Sequence, residues 1–558
     1  MPTLSLDGQT VTVPPGSTLL EAARQLGLAI PTLCWRQGFE PSTSCMVCAV
    51  KIAGRAQMLP ACATPAAEGM VVTTDDEDIR RHRREVMELI LSEHAGDCEA
   101  PCQSACPAHL DIPAMARALQ SGALATAAAL AHEALVLPQS LGMICPGPCE
   151  KACRRGRHDA AVAIGALHRA AAAHGPPPAT PPRAAGSVLS QTSGLQDGTA
   201  SVPGRCPGLT NDALSGRRTG GPQGPADAVV KPVTVVGAGP AGLAAAAALA
   251  RRGWACQVLD DHDAAGGMLR CGVGADRLPP AVLEAEVAAI AALGVVFRLG
   301  RGLESAADLE RLRGESSAVL LAMGTGAAVV ADLGLAMRDG VLVVDRERAT
   351  TSQPGVFAAG GIARDTRRLA VRAVASGRAA AEQIDAFLRQ ADPPTTAPAV
   401  VVRLGALREG EMEAFLSQAS PAPRAEAAAT GPLAPPDAAG EAARCLHCDC
   451  RAQHACALRE VAGACGASPQ RWTGTRRTVT LDTTHPEVIY EPGKCIACGL
   501  CIQACARAGE RLGLAFHWRG MQVRVGAPLN ETLAAALTLA AADCVAVCPT
   551  GALAWKRD

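Results

Sequence analysis

Twenty-four cysteines carry most of the chemistry that this chain of 558 residues could perform. Most of them stand in closely spaced runs, while a central stretch contains few. Disulfide bridges also consume cysteines, but they serve small secreted domains that lack a core, and this long chain is 49% hydrophobic. Closely spaced thiols in a chain of this size favour metal ligation, and clusters of iron and sulfide in particular.

The N-terminal run contains four cysteines in the spacing C-x10-C-x2-C-x13-C. Four thiolates are the number that a [2Fe-2S] cluster requires. The surrounding segment alternates like short strands and turns, for example VTV at 11–13 and AVKIAG at 49–54. The predicted ligands are Cys34, Cys45, Cys48 and Cys62.

This spacing departs from the plant-type ferredoxin pattern C-x4-C-x2-C. It resembles the ferredoxin-like N-terminus of the large iron-sulfur subunit of NADH:quinone oxidoreductase and of related hydrogenases and formate dehydrogenases. The resemblance continues through a helix to about residue 98, where His94 precedes Cys98 by four positions, like the histidine that ligates a [4Fe-4S] cluster in that family. The alternative interpretation of His94 is an ordinary surface histidine.

The next segment has a helical pattern and contains further cysteine runs. It resembles the helical two-cluster domain of the glutamate synthase small subunit and of dihydropyrimidine dehydrogenase in DCEAPCQSACPAHLDIP, ICPGPCEKAC and VAIGALH. In that family the ligands of the two clusters interleave, and the fourth ligand of the second cluster is Gln or Glu. The resemblance implies one [4Fe-4S] cluster on His94, Cys98, Cys102 and Cys153, and a second on Cys106, Cys145, Cys149 and His168.

A strand-turn-helix-strand pattern typical of dinucleotide binding occurs in VTVVGAGPAGLAAAAALARRGWACQVLDD. Glycines are needed there because the turn is tight, the backbone approaches a pyrophosphate and the helix packs closely on the strand. The helix N-terminus offers N–H groups to phosphates, and an acid about 20 residues later can accept bonds from ribose hydroxyls. A purely structural glycine turn is the alternative. The residues concerned are Gly237, Gly239, Pro240, Ala241, Gly242 and Asp260.

Two further segments, at Gly266-Gly267-Met268 and at VFAAGGIARD, resemble the FAD domain of the glutamate synthase small subunit, so FAD is the expected ligand. In that family a second glycine-rich domain for NADPH interrupts the FAD domain. Here LLAMGTG at 320–326 is followed almost at once by DGVLVVD, so direct hydride exchange with nicotinamide is not expected. The family's closing Gly-Asp, whose acid binds the flavin ribityl chain, is Gly360-Gly361 in this chain. That change either weakens FAD binding or marks a flavin fold kept as a scaffold.

Two cysteine-rich segments follow. The first, CLHCDCRAQHAC, offers soft ligands for either a structural zinc ion or a [4Fe-4S] cluster, and iron is favoured. The second contains CIACGLCIQAC and DCVAVCPTGAL and resembles the two-cluster bacterial ferredoxin fold. Thr538 and Ala541 replace two cysteines of that fold, so one cluster is complete while Cys505 and Cys544 belong to a lost site. The ligands implied are Cys445, Cys448, Cys450 and Cys456 in the first segment, and Cys495, Cys498, Cys501 and Cys548 in the second.

The N-terminus lacks the charged and apolar regions of an export signal, and no uninterrupted apolar run is long enough to cross a bilayer. We expect a cytoplasmic protein without a transmembrane segment, in which a reducing environment keeps CxxC thiols available for metals. The formal net charge of -1 provides no electrostatic footprint for nucleic acid. The expected partners are therefore proteins or small molecules.

The sequence predicts a multidomain protein of mixed α/β and α+β class. We expect a β-grasp ferredoxin-like [2Fe-2S] domain, an α-helical two-cluster domain, a Rossmann-type FAD domain lacking the NAD(P)H insert, and a C-terminal bacterial-ferredoxin-like domain. The predicted boundaries are 1–78, 79–174, a flexible linker at 175–230, 231–390, a connector at 391–440, a Cys-rich segment at 441–475, and 476–558.

One [2Fe-2S] cluster, three to four [4Fe-4S] clusters and FAD on one chain indicate a relay, because a flavin interconverts one-electron and two-electron transfers. We predict an iron-sulfur flavoprotein electron-transfer subunit of a multi-subunit oxidoreductase, such as a formate dehydrogenase-, hydrogenase- or NADH dehydrogenase-like complex. No catalytic residue is predicted in the chain, so activity is expected only with other redox subunits, catalytic or NAD-linked. The alternatives are a glutamate synthase small-subunit-like electron donor and a scaffold with a vestigial flavin fold and a zinc site.

Overall fold

The computed structural model describes residues 1–175, 231–324, 328–338, 341–363, 369–392, 400–426, 431–472 and 476–556. The predicted flexible linker at 175–230 lies outside these ranges except for its first residue. Within them the chain forms a mixed sheet, a group of short helices, a parallel sheet flanked by helices, and a C-terminal part with small two-stranded sheets. The mixed sheet and the parallel sheet with its helices are consistent with the predicted α/β class.

The N-terminal part, all of it described, is a five-stranded mixed sheet with one helix packed against it. The strands are β1 (Thr3–Leu6), β2 (Gln9–Thr12), β3 (Ala49–Ile52), β4 (Leu59–Pro60) and β5 (Val71–Thr73), in the order β2-β1-β5-β3-β4, and the helix is α1 (Leu19–Gln25). Leu4 and Leu6 are buried on one face of β1, as the alternating pattern predicts. Helix α1 begins at a capping box between Thr18 and Glu21.

The helical part consists of α2 (Glu77–Glu93), α3 (Pro101–Ala105), α4 (Ile112–Gln120), α5 (Leu124–Leu135), α6 (Pro138–Ile144), α7 (Pro148–Ala152) and α8 (Ile164–His174). Helices α3, α6 and α7 begin at proline. Proline costs no hydrogen bond there, because N–H groups in the first turn of a helix have no intrahelical partner. Each of the three ends directly before a cysteine, so these cysteines lie where the backbone leaves a helix. The cysteines are Cys106, Cys145 and Cys153.

No single helix in the described ranges is long and apolar enough to cross a membrane. Only α5 and α6 taken together pass on length and composition, and they are bent by 72° at the break between them.

The described α/β part contains a parallel sheet in the order β12-β9-β6-β7-β8, with β6 (Val233–Val236), β7 (Cys256–Asp260), β8 (Val296–Leu299), β9 (Ala318–Leu321) and β12 (Val356–Ala358). Its helices are α9 (Pro240–Arg251), α10 (Met268–Cys271), α11 (Pro280–Ala292), α12 (Ala306–Glu315) and α13 (Ala370–Leu388). Helices α9 and α13 pack so closely that only glycine fits at position 377. A Cβ at Gly377 would lie 2.0 Å from the carbonyl oxygen of Ala241. Between β9 and β12 the described residues form a short 3₁₀ helix (Ala328–Asp332) and a hairpin of β10 (Met337–Arg338) and β11 (Val341–Leu342).

The described C-terminal part contains helices α14 (Glu411–Leu416), α15 (Pro435–Ala442), α16 (Ala457–Ala464), α17 (Leu500–Ala508), α18 (Leu533–Ala536) and α19 (Ala541–Val547). Strand β13 (Val488–Tyr490) pairs with β16 (Leu553–Trp555), and β14 (Ala515–His517) pairs with β15 (Arg524–Gly526), both antiparallel.

The segment that follows the α/β part returns to the helical part. Helix α15 packs on α4 and α8, and α16 packs on α2. Cys98 N–H donates to the carbonyl of Val402 at 3.0 Å, and Val402 N–H donates to the Cys98 sulfur at 3.3 Å. Segments that are hundreds of residues apart in sequence are therefore brought to one place.

The helical and α/β parts also share one hydrophobic core, and a buried carboxylate lies at their junction. Glu286 on α11 accepts bonds from the N–H groups of Gln139 and Ser140 and from the Ser140 hydroxyl, at the N-terminus of α6. Burial raises the pKa of Glu286 to about 7. The folded protein therefore holds a proton here at a pH where the unfolded chain has lost it.

We expect this junction to lose stability as the pH rises. Because the folded pKa of Glu286 lies above its unfolded value, its contribution is complete below about pH 4 and is lost as the pH rises through about 7, up to about 3 kcal/mol in all. The melting temperature should change less between pH 6 and pH 8 for Glu286→Gln than for the wild-type protein. Glu284→Gln, at an exposed position of the same helix, is the control and should behave like wild type; parallel curves for all three proteins would contradict the assignment.

Candidate iron-sulfur sites and dinucleotide site

The four N-terminal cysteines are brought together at one end of the mixed sheet. Cys34 and Cys45 are in hydrogen-bond contact, and so are Cys48 and Cys62. All four are buried. The bond from Cys45 lowers the pKa of Cys34 to about 5, and the bond from Cys62 lowers that of Cys48. Two neighbouring pairs of sulfur donors fit the two irons of a [2Fe-2S] cluster.

His94 and Cys98 line a second site together with cysteines from the far end of the chain. The cavity that they line is lined by Cys450 and Cys456 as well. The Nδ1 atom of His94 is buried and has no hydrogen-bond partner in the described residues. Burial, aided by Lys494 and Arg477, lowers its pKa to about 3, so the imidazole is neutral and keeps a free lone pair. Three thiols and one imidazole fit a [4Fe-4S] cluster.

A third group unites Cys102 and Cys153 of the helical part with Cys445 and Cys448. Burial raises the pKa of Cys102 well above its usual value, and the neighbouring thiols of Cys445, Cys448 and Cys153 raise it further. Cys448 also lies against the guanidinium of Arg154. This arrangement supplies four sulfur donors from two distant parts of the sequence.

These two groups differ from the predicted ones. The sequence placed His94, Cys98, Cys102 and Cys153 on one cluster, and Cys445, Cys448, Cys450 and Cys456 on another. In the structure each of those two sets is divided, and each half joins a half of the other set. The physical reason is that α15 and the chain after it dock on the helical part, so neighbouring cysteines of one run face different partners.

A buried network of charged residues holds the segment before Cys445 in place. The Arg444 guanidinium donates to the carboxylate of Glu441 and to the carbonyls of Ala160 and Ala422. Arg155, two residues after Cys153, donates to the carbonyl of Arg444 at 2.7 Å. Arg155 and Arg444 are each 1% exposed. Sequence reasoning missed these residues, because only their burial distinguishes them from surface arginines.

The remaining cysteines of the helical part, Cys106, Cys145 and Cys149, are neighbours: burial and then the charges of Cys106 and Cys145 raise the pKa of Cys149, and their shared cluster stays a prediction. His168 is buried nearby on α8, and burial lowers its pKa to about 4. Its Nδ1 lies 2.8 Å from the carbonyl oxygen of Pro138, which can only accept, so Nδ1 carries the proton and Nε2 the lone pair. His168 as the fourth ligand stays a prediction.

The C-terminal group contains Cys495, Cys498, Cys501 and Cys548, which line one cavity together with Tyr490. The four predicted ligands are therefore brought together. Cys505 and Cys544 do not line this cavity and contact each other instead.

The spacing of the sulfurs bears on which metal these groups fit. Among the described residues, three ligand atoms lie within 4.8 Å of one another only at Asp260, Asp261 and His262. A tetrahedral zinc ion, with Zn–S bonds of about 2.3 Å, holds its sulfurs about 3.8 Å apart. The cysteine groups are wider than that, so the donor sets fit cages of iron and sulfide better than single zinc ions.

The glycine turn of the α/β part has the close approaches that its sequence predicts. Gly237 has φ +112°, and a Cβ there would lie 2.7 Å from the carbonyl oxygen of Ala322. A Cβ at Gly242 would lie 1.8 Å from the carbonyl oxygen of Gly237, whereas one at Gly239 would meet open space. Pro240 then begins α9. The turn leaves room above Gly239 and N–H groups at a helix N-terminus, which is what a phosphate requires.

The second set of predicted flavin residues lies beside this turn. A Cβ at Gly267 would lie 2.8 Å from the Cα of Gly239, and one at Gly360 would lie 2.8 Å from the Cβ of Ala241. Met268, at the start of α10, is exposed. Gly361 follows Gly360 in a single 3₁₀ turn after β12 and supplies no acid. The predicted segments are thus brought together around one turn.

Asp260 lies at the end of β7 and is engaged by backbone groups. Its carboxylate accepts from Ala238 N–H at 2.6 Å and from His262 N–H at 3.0 Å. This pairing keeps the carboxylate at the mouth of the turn. Oδ1 also lies 3.0 Å from Nδ1 of His262, whereas Oδ2 has Ala238 N–H as its one partner among the described residues, so a ribose hydroxyl can still bind at Oδ2, and that role stays a prediction.

Three segments match known protein-family models. Residues 1–77 match a 2Fe-2S iron-sulfur cluster binding domain, and residues 85–175 match the 4Fe-4S cluster domain II of dihydropyrimidine dehydrogenase. Residues 235–290 match an NAD(P)-binding Rossmann-like domain. The predicted resemblances and the Rossmann-type turn are confirmed, while the choice of FAD is not addressed by that match.

Individual relatives match parts of the chain. The NADP(+)-dependent formate dehydrogenase subunit beta of Moorella thermoacetica is 35% identical over 229 residues, 41% of this chain and 30% of the relative. The NADPH-Fe(3+) oxidoreductase subunit alpha of Geobacter sulfurreducens is 42% identical over 113 residues, 19% and 13% of the two chains. A subunit of the NADP-reducing hydrogenase of Solidesulfovibrio fructosivorans is 45% identical over 103 residues, 18% of each chain. In each case the match spans less than a third of the relative, and in each case that relative is named as a subunit of a redox enzyme.

Proposed function

We propose that this protein is an iron-sulfur flavoprotein that transfers electrons as a subunit of a multi-subunit oxidoreductase. The observation that carries the proposal is the continuous arrangement of cysteine groups through the interior. One hydrophobic core contains Cys102, Cys106, Cys149 and Cys445 together with residues of the parallel sheet. A second core contains Cys34, Cys45, Cys98, Cys456 and Cys498. An iron-sulfur cluster in each group would supply one-electron transfer, and a flavin would exchange electrons in ones or twos.

The contacts between groups support an order. Arg378 on α13 donates to the carbonyl of Ala108, two residues after Cys106, so the Cys106 group lies on the side of the α/β part. The charge of Cys149, in the Cys106 group, is among the causes that raise the pKa of Cys102. The Cys102 group is therefore next in the order. Cys448 of that group and Cys450 of the His94 group are two residues apart.

The His94 group continues toward the two ends of the molecule. Ala95 N–H donates to the carbonyl of Gly493, and Arg477 bonds both Glu93 and the carbonyl of Cys495. In the C-terminal group, the charge of Cys34 is among the causes that raise the pKa of Cys498, after burial and the other thiols of the group. We propose the order dinucleotide turn, Cys106 group, Cys102 group, His94 group, with the [2Fe-2S] and C-terminal groups as neighbours at the far side.

FAD is the proposed occupant of the glycine turn. The second flavin-like segments pack against the turn at Gly267 and Gly360, which supports FAD over a single-motif nicotinamide site. In the described residues between β9 and β12 only a short 3₁₀ helix and a hairpin occur, which disfavours a second nucleotide domain and a glutamate synthase small-subunit-like role. Nicotinamide or substrate chemistry is assigned to partner redox subunits, in keeping with the names of the relatives. A cytoplasmic location also stays our prediction, since reduced thiolates need a reducing compartment.

Anaerobically purified protein is expected to contain about eighteen irons and one FAD per chain, from one [2Fe-2S] and four [4Fe-4S] clusters. The measurements are iron, acid-labile sulfide and released flavin, with electron paramagnetic resonance after dithionite reduction. Stoichiometric zinc with little iron would support the scaffold alternative instead. Bound NAD(P) without flavin, or rapid NAD(P)H oxidation by the isolated chain with an artificial acceptor, would contradict the assignment of nicotinamide chemistry to a partner.

A further inference from the structure

Cys505 and Cys544 form a buried pair of thiols that the proposed relay does not use. Cys505 lies on α17 and Cys544 on α19, and their sulfurs are 3.6 Å apart. They are 3% and 0% exposed and belong to a core that includes Leu514 and Leu537. Neither lines the cavity of the C-terminal cysteine group. Two thiols in direct contact inside an apolar core are a chemical feature that packing alone does not require.

The surroundings of the pair do not complete a metal site. In the part of the chain that the structure describes, no His, Cys, Asp or Glu brings a third ligand atom within 4.8 Å of both sulfurs. The nearby loop is held by Glu510, whose carboxylate accepts from the Thr538 hydroxyl at 2.7 Å and from Ala540 N–H at 2.8 Å. A Cβ at Gly513 would lie 3.1 Å from the Cβ of Cys505, so the space beside the pair is filled. A cluster would find two sulfur donors there and no room.

We propose that Cys505 and Cys544 are a reversible dithiol–disulfide pair that reacts with hydrogen peroxide. A disulfide requires the sulfurs to approach from 3.6 Å to about 2.05 Å, which small side-chain rotations on two neighbouring helices can provide. Cys505 is the attacking thiol, because it is the less buried of the two.

The reaction balances in two steps. The Cys505 sulfur attacks one oxygen of hydrogen peroxide, the O–O bond breaks, and a sulfenic acid and water form. The Cys544 sulfur then attacks the sulfenic sulfur, the S–O bond breaks, a second water leaves with the thiol proton, and the S–S bond forms. The two thiols lose two electrons and two protons, and the peroxide is reduced to two waters. A small dithiol such as dithiothreitol reverses the step by thiol–disulfide exchange.

The pair is linked to the neighbouring cysteine group through both helices. Cys501 precedes Cys505 by four residues on α17, and Cys548 follows Cys544 by four residues at the end of α19. The Cys544 thiol also donates to the carbonyl oxygen of Cys501 at 3.5 Å, a bond that disulfide formation removes. Oxidation of the pair should therefore alter the surroundings of the C-terminal cluster, a consequence that rests on the proposed function.

The test uses the complete holoprotein treated anaerobically with one to a few equivalents of hydrogen peroxide. After denaturation in an alkylating reagent and digestion, mass spectrometry should find a peptide containing Cys505 linked to one containing Cys544, and dithiothreitol should remove the link. The electron paramagnetic resonance spectrum of the reduced C-terminal cluster should shift on oxidation and return with dithiothreitol. Cys544→Ser should abolish both changes, and Cys271→Ser, at an exposed cysteine, should retain them.

The outcomes separate this inference from the proposed function. The link is sought in wild-type protein first, so a variant that fails to fold does not prevent the test. Alkylation of both Cys505 and Cys544 as free thiols after peroxide treatment, in protein that retains its iron, overturns the pair while leaving the relay intact. A reversible link in protein that contains no iron supports the pair and contradicts the relay. A link from either cysteine to a cluster ligand instead also contradicts the proposal.

Discussion

The double variant Cys102→Ala/Cys445→Ala is expected to lose about four irons per chain, whereas Cys445→Ala/Cys456→Ala is expected to lose about eight. The structure places Cys102 and Cys445 in one group and Cys456 in the group of His94. Two substitutions within one site remove one [4Fe-4S] cluster, and substitutions in two sites remove two. Iron and sulfide analysis of anaerobically purified protein gives the counts.

The same pair of variants distinguishes the structural grouping from the grouping that the sequence predicts. If Cys445 and Cys456 shared a cluster, the two results would be exchanged. Cys256→Ala is the control, because this cysteine is equally buried, in strand β7, but belongs to no cysteine group. It should retain all the iron, which shows that removing a buried thiol is not by itself the cause of the losses.

Arg444→Met is expected to lower the free energy of unfolding by about 3–5 kcal/mol. The substitution keeps an apolar stem of similar length but leaves the Glu441 carboxylate, whose side chain is 0% exposed, without its cation. Glu441 also accepts from the N–H groups of Ala163 and Ala425, so the lost charge loosens the contact between α15 and the helical part. Thermal unfolding of the holoprotein, followed by circular dichroism and by the visible absorbance of the clusters, measures the effect.

Arg424→Met is the matched control at the same junction. Arg424 pairs with Glu150 at 2.7 Å but its side chain is 37% exposed, so we expect a loss of at most about 1 kcal/mol. A second comparison is the double variant Glu441→Gln/Arg444→Met, which removes both charges and should recover part of the stability. Equal effects of Arg444→Met and Arg424→Met would mean that the buried pair does not hold the junction.

The parts of the fold that the sequence could predict are those in which the chain folds against its own neighbours. The glycine turn at Gly237 and the acid Asp260 belong to one strand-turn-helix-strand unit, so their spacing defines their geometry. The four N-terminal cysteines lie in loops of a single small domain, and three of the four C-terminal ones lie within seven residues. Motifs of this kind carry their own structural context.

The grouping of the middle cysteines could not be predicted in this way. The spacing of Cys445, Cys448, Cys450 and Cys456 states how many thiols one loop supplies but not which other run each thiol meets. That depends on how α15 docks on α4 and α8 and on the buried Glu441–Arg444 pair, which involve residues hundreds of positions apart. His94 could be recognised from its position before Cys98, whereas its partners Cys450 and Cys456 are determined by tertiary structure alone.

The division of two sites between the helical part and the segment after residue 440 has a consequence for how the protein is made. A ribosome finishes the N-terminal [2Fe-2S] segment early, so assembly factors could load that site while translation continues. The His94 and Cys102 groups, in contrast, have only half of their donors until Cys445 to Cys456 have been synthesised. If these two sites hold clusters as proposed, iron and sulfide can be delivered only after most of the polypeptide has emerged, and prematurely terminated chains would carry half-built sites with reactive thiols.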